Sequence, residues 1–229
     1  MSLTLFFAPG ACSRVPLIAL EETGAAFDTS LIAFMRGDHR APHFLAISPA
    51  GKVPTLLADG VGLAQNAAIL TYLARRFPAA RLMPFTGDPM NDAQLLAWLA
   101  WFSGDLHPLV TRIRMPQLIC DQADAAGRVK AGAMAAMAFQ LATVEQLLGR
   151  QPWLLGDQWS VLDGYLFWVW FRITGAGFDE AGFPAIARHY ALMHEQPAVR
   201  RALAREAAAE AELGALGLSV PLPSIEATL

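Results

Sequence analysis

The chemistry of this chain starts at Pro9-Gly10-Ala11-Cys12-Ser13. A thiol is an effective nucleophile only as its thiolate, and an ordinary cysteine ionises near pH ~8.5. A helix N-terminus favours the anion, because its first N–H groups lack intrahelical partners and the peptide dipoles add there. Apolar Val15, Ile18 and Ala19, with Pro16 in the first turn, predict a helix from Ser13 to Thr23 that Gly24 closes. Cys12 stands at its start. The plain alternative is a small buried residue that fills space. Val15, not a second cysteine, lies three residues on, so a dithiol mechanism is excluded and a monothiol one stays open. Ser13 reads either as a hydroxyl donor to a thiolate or as the cap of the same helix. Arg14 either adds positive potential or is solvated.

Other residues carry weaker signals. Gln65-Asn66 opens a helix expected over Asn66 to Phe77, stopped by Pro78. A helix start is a ready anion site. Asn66 can cap the helix and also donate its NH₂ to a carboxylate. Val53-Pro54 is open to either isomer, since cis is common only before proline. His107, in Asp105-Leu106-His107-Pro108, can donate or assist proton transfer, or simply be a polar residue at a bend. Ser160 and Asp163 have the spacing of a capping box, a structural device worth on the order of 1 kcal/mol. Trp98, Trp101, Phe102, Trp168 and Trp170 read either as the wall of an apolar pocket or as core. His39 and His43 have Pro42 between them, and neither this pair nor His189 and His194 makes a convincing metal site. Gly60-x-Gly62 lacks the third glycine of a phosphate loop.

The elements that position these residues fall into two kinds. Short strands are expected at Leu3 to Phe7, Thr29 to Phe34, Val53 to Ala58 and Val61 to Ala64. With the two helices above, the order is β-α-β, then β-β-α. A Pro- and Gly-containing stretch from Arg81 to Pro89 follows. Helices are then expected at Asn91 to Ile113, Arg128 to Leu148, Ser160 to Ile173, 184–195 and 197–211, with an irregular tail holding Pro221 and Pro223. The fold class is an α/β half joined to an all-α half, with domains at 1–80 and 91–229 and a linker at 81–90.

Composition narrows the function. The chain has 229 residues, 55% hydrophobic and 16% charged, so it can bury a substantial core. A net charge of −3 without a basic stripe argues against a general nucleic-acid binder. No run approaches the ~18 apolar residues of a spanning helix; Gly164 to Phe171 stops at Arg172. The N-terminus has no basic leader before its apolar residues, so no signal peptide is expected. Two distant cysteines, Cys12 and Cys120, form no disulfide framework, and a cytoplasmic location is expected.

The order of elements resembles the glutathione transferases, and four motifs spread over most of the chain carry the resemblance. Pro9-Gly10-Ala11-Cys12-Ser13 is similar to the bacterial beta class. Pro49-Ala50-Gly51-Lys52-Val53-Pro54 resembles the segment with the family's cis-proline. Gln65-Asn66-Ala67-Ala68-Ile69 lies at the place of its carboxylate-binding motif. Gly156-Asp157-Gln158-Trp159-Ser160-Val161-Leu162-Asp163 resembles its capping box. The resemblance implies a thioredoxin-like domain followed by a helical bundle, glutathione as co-substrate, no metal, and a homodimer. It implies that Val53-Pro54 is cis, with the Val53 backbone pairing the tripeptide. Lys52 would meet the glycine carboxylate, and Gln65 and Asn66 the γ-glutamyl carboxylate. His107 would face the cysteine, and Arg36 is the nearest basic candidate to a lysine that the class uses in the preceding loop. Three departures are visible. Asn66 replaces the usual Ser or Thr, Ala100 replaces an asparagine used between subunits, and Phe6 and Phe7 leave no tyrosine on the first strand. The implied activity is conjugation of glutathione to hydrophobic electrophiles, a detoxifying reaction. A glutathione-dependent disulfide reductase using Cys12, and a non-catalytic binding or regulatory protein, are the alternatives.

Overall fold

The computed structural model describes residues 2–219. Strand β1 (Leu3–Phe7) is apolar throughout except Thr4, and it is central in a four-stranded sheet. It pairs in parallel with β2 (Asp28–Leu31) and antiparallel with β3 (Thr55–Ala58), which pairs antiparallel with β4 (Val61–Ala64), in the order β2-β1-β3-β4. Leu5 stands opposite Thr29 on one side and Leu56 on the other. The parallel pair needs a crossover, and α1 (Arg14–Thr23) supplies it. The antiparallel pair needs a tight turn. Asp59 and Gly60 supply it, both at positive φ as a two-residue hairpin demands.

Strand alternation sends Phe6 to one face, where it clusters with Ile32 and Phe44; its ring centroid is 5.3 Å from that of Phe44. Leu5 and Phe7 are buried on the opposite face. Helix α1 buries Val15, Leu17, Ile18 and Leu20, and α3 (Asn66–Arg76) buries Ile69, Leu70 and Leu73. Strand β2 ends three residues before the expected Phe34. Asp38 draws the chain away by accepting the Ala33 N–H at 3.0 Å, and Phe34–Arg36 and Asp38–Arg40 become 3-10 turns. A four-residue helix, α2 (Pro42–Leu45), follows. Strand β3 begins at Thr55 and not at Val53, since Pro54 has no N–H for a ladder and the Lys52 carbonyl is taken by the hydroxyls of Ser48 and Thr55.

The expected helix Asn91 to Ile113 is two helices with a wider segment between. Helix α4 (Pro89–Trp101) is capped by Asp88, and α5 (His107–Arg114) follows a π-helical stretch at Phe102–Leu106. Pro108 is the cause. It cannot donate to the carbonyl of Gly104, and its ring would strike that carbonyl. The His107 N–H instead reaches back five residues to Phe102. Helix α6 (Ala123–Leu148) starts five residues before the expected Arg128. Helix α7 (Val161–Thr174) is nearly all buried. Its capping box forms: Ser160 accepts the Leu162 N–H at 3.3 Å and Asp163 accepts the Ser160 N–H at 2.8 Å. Asp163 also bonds the Leu154 N–H and His189 Nε2, each at 2.9 Å. Helices α8 (Pro184–Glu195) and α9 (Pro197–Ala215) complete the described chain; Pro221 and Pro223 lie outside the described residues. Among these helices none is long and apolar enough to cross a membrane.

The chain forms two compact units. One holds the residues up to Gly87 and again from His194; the other spans Asp88–Met193. A cut at 81–90 would assign α9 to the helical domain, yet α9 belongs to the first unit. Ion pairs with α1 are the reason. Arg14 donates to Glu206 Oε2 through Nε at 2.9 Å and Nη2 at 2.6 Å, with both side chains buried. Glu21 accepts from Arg201 and Arg205, and Arg205 lies over the Phe27 ring at 4.6 Å. Ala198, Val199, Ala202 and Leu213 are buried on the same helix.

Two expected outcomes follow from this docking. Glu206→Ala removes the carboxylate paired with the buried Arg14 guanidinium, and chemical denaturation should show a loss of about 3–5 kcal/mol; a loss below about 1 kcal/mol would contradict a buried pair. His194 is held below its ordinary value of 6.5 by burial first and by the Arg14 charge second. The unfolded chain therefore takes up this proton first as pH falls through 6.5, so stability declines below that pH. His194→Gln should flatten that decline in thermal midpoints measured on either side of it.

Candidate functional site

The residues singled out in the first unit meet around one turn. After β1 the chain bends through Pro9 and Gly10, Gly10 at φ 67°, and Cys12 lies in the turn just before α1. Ser13 is the N-cap residue of α1 by position, yet its hydroxyl caps nothing. It donates to the Ala8 carbonyl at 3.1 Å and accepts the Ala8 N–H at 3.2 Å, and the residue is fully buried. Ser13 thus clasps the end of β1 to the start of α1. That differs from both of its expected roles: the hydroxyl is committed to backbone. Arg14 is likewise neither solvated nor a lone positive charge, since Glu206 neutralises it.

Cys12 is half-buried, and its thiol donates to the Val53 carbonyl at 3.4 Å. The Val53-Pro54 bond is cis. Lys52 is exposed beside it. From the other side the Asn66 Nδ2 donates to the Cys12 carbonyl at 3.1 Å. The structure therefore brings Cys12, Val53, Pro54 and Asn66 together at the N-terminus of α3, with Lys52 and Gln65 next to them in sequence.

Gln65 was singled out for its side chain, but its backbone is the less expected feature. It sits at φ 74°, ψ 126°, a region costly for any residue with a Cβ. Such strain persists where the surroundings over-determine it. Gln65, and not Asn66, occupies the cap position of α3, and no side chain caps that helix. The first N–H groups of α3 therefore offer donors to an anion.

Arg36 is committed differently from the other basic residues. Its guanidinium forms a two-pronged pair with Asp38, at 2.8 and 2.7 Å, which holds the Asp38 carboxyl below its ordinary range and raises the guanidinium further. The pair closes the loop between β2 and α2. Arg36 remains more than half exposed.

In the second unit, His107 is the first residue of α5, set there by the π-helical stretch. Its Nδ1 lies 2.9 Å from the Tyr165 hydroxyl, and its ring centroid is 4.6 Å from that of Trp168. Tyr165 gave no signal in the sequence; it is one apolar position among many on α7. The aromatic group divides. Phe102, Trp168 and Trp170 are core, whereas Trp98 and Trp101 line a groove of about 530 Å³ with Gln94 and Gln140. There Trp101 Nε1 donates to Gln140 at 3.1 Å. Among the described residues no group of three His, Cys, Asp or Glu side chains could hold a metal ion.

Comparison with known proteins bears on this geometry. The model of the glutathione S-transferase N-terminal domain matches residues 1–75, and that of the C-terminal domain matches residues 125–192. The glutathione S-transferase GstA of Escherichia coli O157:H7 is 29% identical over 89% of this chain and 98% of its own. The maleylacetoacetate isomerase of Pseudomonas aeruginosa is 31% identical over 88% of this chain and 95% of its own. A sphingomonad glutathione S-transferase solved in complex with glutathione is 32% identical, covers 89% of this chain and 98% of its own, and superposes with a TM-score of 0.78. The thioredoxin-like sheet, the helical unit and these matches along most of the sequence agree: the chain belongs to the glutathione S-transferase family.

Proposed function

We propose that this chain binds glutathione in its first unit and conjugates it to apolar electrophiles, with Cys12 as the thiol partner of the tripeptide. The observation that carries this reading is the convergence on Cys12. Its thiol meets the Val53 carbonyl at 3.4 Å, and its carbonyl meets Asn66 at the head of α3. An extended tripeptide can pair with the Val53 backbone as an added strand. Its γ-glutamyl carboxylate fits the N–H groups at α3, beside Gln65. Lys52 is exposed next to Val53 and suits the glycine carboxylate. Arg36 shapes the neighbouring loop through its pair with Asp38. Ser13 is assigned no part in the chemistry, because its hydroxyl is enclosed and doubly bonded to Ala8. His107, held by Tyr165 in the second unit, is given no step in the reaction.

In the conjugation the glutathione sulfur forms a bond to carbon as the leaving group departs with its electron pair, and the thiol proton goes to solvent. Cys12 serves by hydrogen-bonding the glutathione sulfur in its anionic form. Conjugation of a chloronitroaromatic should fall about 100-fold in kcat/KM in Cys12→Ala, the usual scale of one positioned proton donor. Unchanged kcat/KM in that variant would remove Cys12 from the reaction.

The half-buried Cys12 thiol with Val15 three residues on favours one second reading, a monothiol disulfide reductase. The Cys12 thiolate would attack one sulfur of oxidised glutathione and the other half would leave as a thiolate. Intact mass after incubation with oxidised glutathione distinguishes the two. One glutathionyl group on Cys12 supports the second reading, and none counts against it. A cytoplasmic setting suits either reading, and no disulfide joins Cys12 to Cys120.

A homodimer belongs to the same proposal. Phe139 on α6 is 80% exposed, and Leu96 on α4 is 41% exposed, which gives the second unit an apolar surface for a partner. Sedimentation velocity should show a dimer for the parent chain and a monomer for Phe139→Glu. An unaltered dimer in the variant would place the contact elsewhere.

A further inference from the structure

Asn66 does something that an anion site alone does not require. Its Nδ2 reaches across 54 residues of sequence to the Cys12 carbonyl. That carbonyl also accepts the Val15 N–H at 3.3 Å, in the first turn of α1. Both of its lone pairs are thereby used. A carbonyl only accepts, so the nitrogen of the carboxamide must face Cys12 and Oδ1 must face away. The residue is only 4% exposed, and Oδ1 is buried without a donor.

This arrangement is a poor one for receiving a ligand carboxylate. One of the two Nδ2 hydrogens is engaged by Cys12, the residue is almost wholly enclosed, and Oδ1 is a buried acceptor, which repels an anion. The backbone N–H groups of α3 have neither handicap.

We infer that Asn66 is a positioning residue for Cys12: it fixes the turn that presents the thiol and leaves the ligand's carboxylate to the backbone of α3. Only the second half rests on the glutathione reading; the first concerns the chain without ligand. Loss of the Asn66 donor releases one side of the Cys12 carbonyl. The turn loosens, and the sulfur loses its fixed place just before α1, whose dipole favours the anion.

The test is the rate of Cys12 alkylation by iodoacetamide as a function of pH, in a Cys120→Ser background without glutathione. Asn66→Ala and Asn66→Asp should move the midpoint of the profile upward. They should slow alkylation at neutral pH about threefold to tenfold, the scale of one hydrogen bond. Glutathione affinity of Asn66→Ala, measured by calorimetry, should change less than about twofold, since the backbone donors are intact. Profiles that superimpose on the parent's would overturn the inference, as would a large loss of affinity with an unchanged profile. If the parent binds no glutathione, the functional proposal fails, while the alkylation profile still decides the role of Asn66. Should Asn66→Ala not fold, Asn66→Asp keeps the shape and lacks the donor. The parent itself gives a further measure: its Asn66 carboxamide protons should exchange slowly with solvent by NMR, and fast exchange would also overturn the inference.

Discussion

Everything at the candidate site depends on how one short turn is held. A cysteine before a helix gains from the N–H groups there only if the turn keeps its sulfur near them. The Val15 N–H of α1 holds the Cys12 carbonyl, and the other holds come from elsewhere in the unit. Ser13 clasps Ala8, Val53 takes the thiol, and Asn66 takes the carbonyl. Those contacts come from the end of β1, the approach to β3 and the head of α3. The small sheet is therefore more than a scaffold beneath the site. Its order, β2-β1-β3-β4, puts β3 beside β1, and so brings the segment at Val53 next to the turn that leaves β1.

The same logic extends outward along α1. The helix is apolar on the faces that meet the sheet and α3, but it carries Arg14 and Glu21 as well. Neither could be buried alone without a heavy desolvation cost. Glu206, Arg201 and Arg205 offset that cost from a single later helix. The second unit solves a different problem in a similar way. Asp163 gathers the Ser160 N–H, the Leu154 N–H and His189 at one buried carboxylate, tying the start of α7 to the loop before it and to α8.

Sequence reasoning reached what is local and missed what is distant. The strand Leu3–Phe7, the hairpin at Asp59-Gly60, the helix stop at Gly24 and the capping box at Ser160 and Asp163 are each written in adjacent residues, and each formed. The position of Cys12 before α1 was legible for the same reason. Ser13 shows the limit: a serine before a helix reads as a cap, and only the folded chain shows Ala8 within reach of its hydroxyl. Pro108 announced a bend but not that the chain would widen to a π turn ahead of it. The Asn66 contact with Cys12, the Tyr165 contact with His107 and the assignment of α9 to the first unit rest on pairs far apart in sequence. No periodicity encodes such pairs.

The distance between Arg14 and Glu206 has a meaning for how the chain is made. The two are 192 residues apart, and α9 is the last described helix. A ribosome adding roughly 5–20 residues per second needs about 10–40 s to reach Glu206 after Arg14 has been synthesised. During that interval the sheet and α1 are available, but the guanidinium that α1 must bury still lacks Glu206. The site-bearing unit is thus begun first and completed last, so a nascent chain stalled before α9 would carry Cys12 just ahead of a helix that still awaits Glu206.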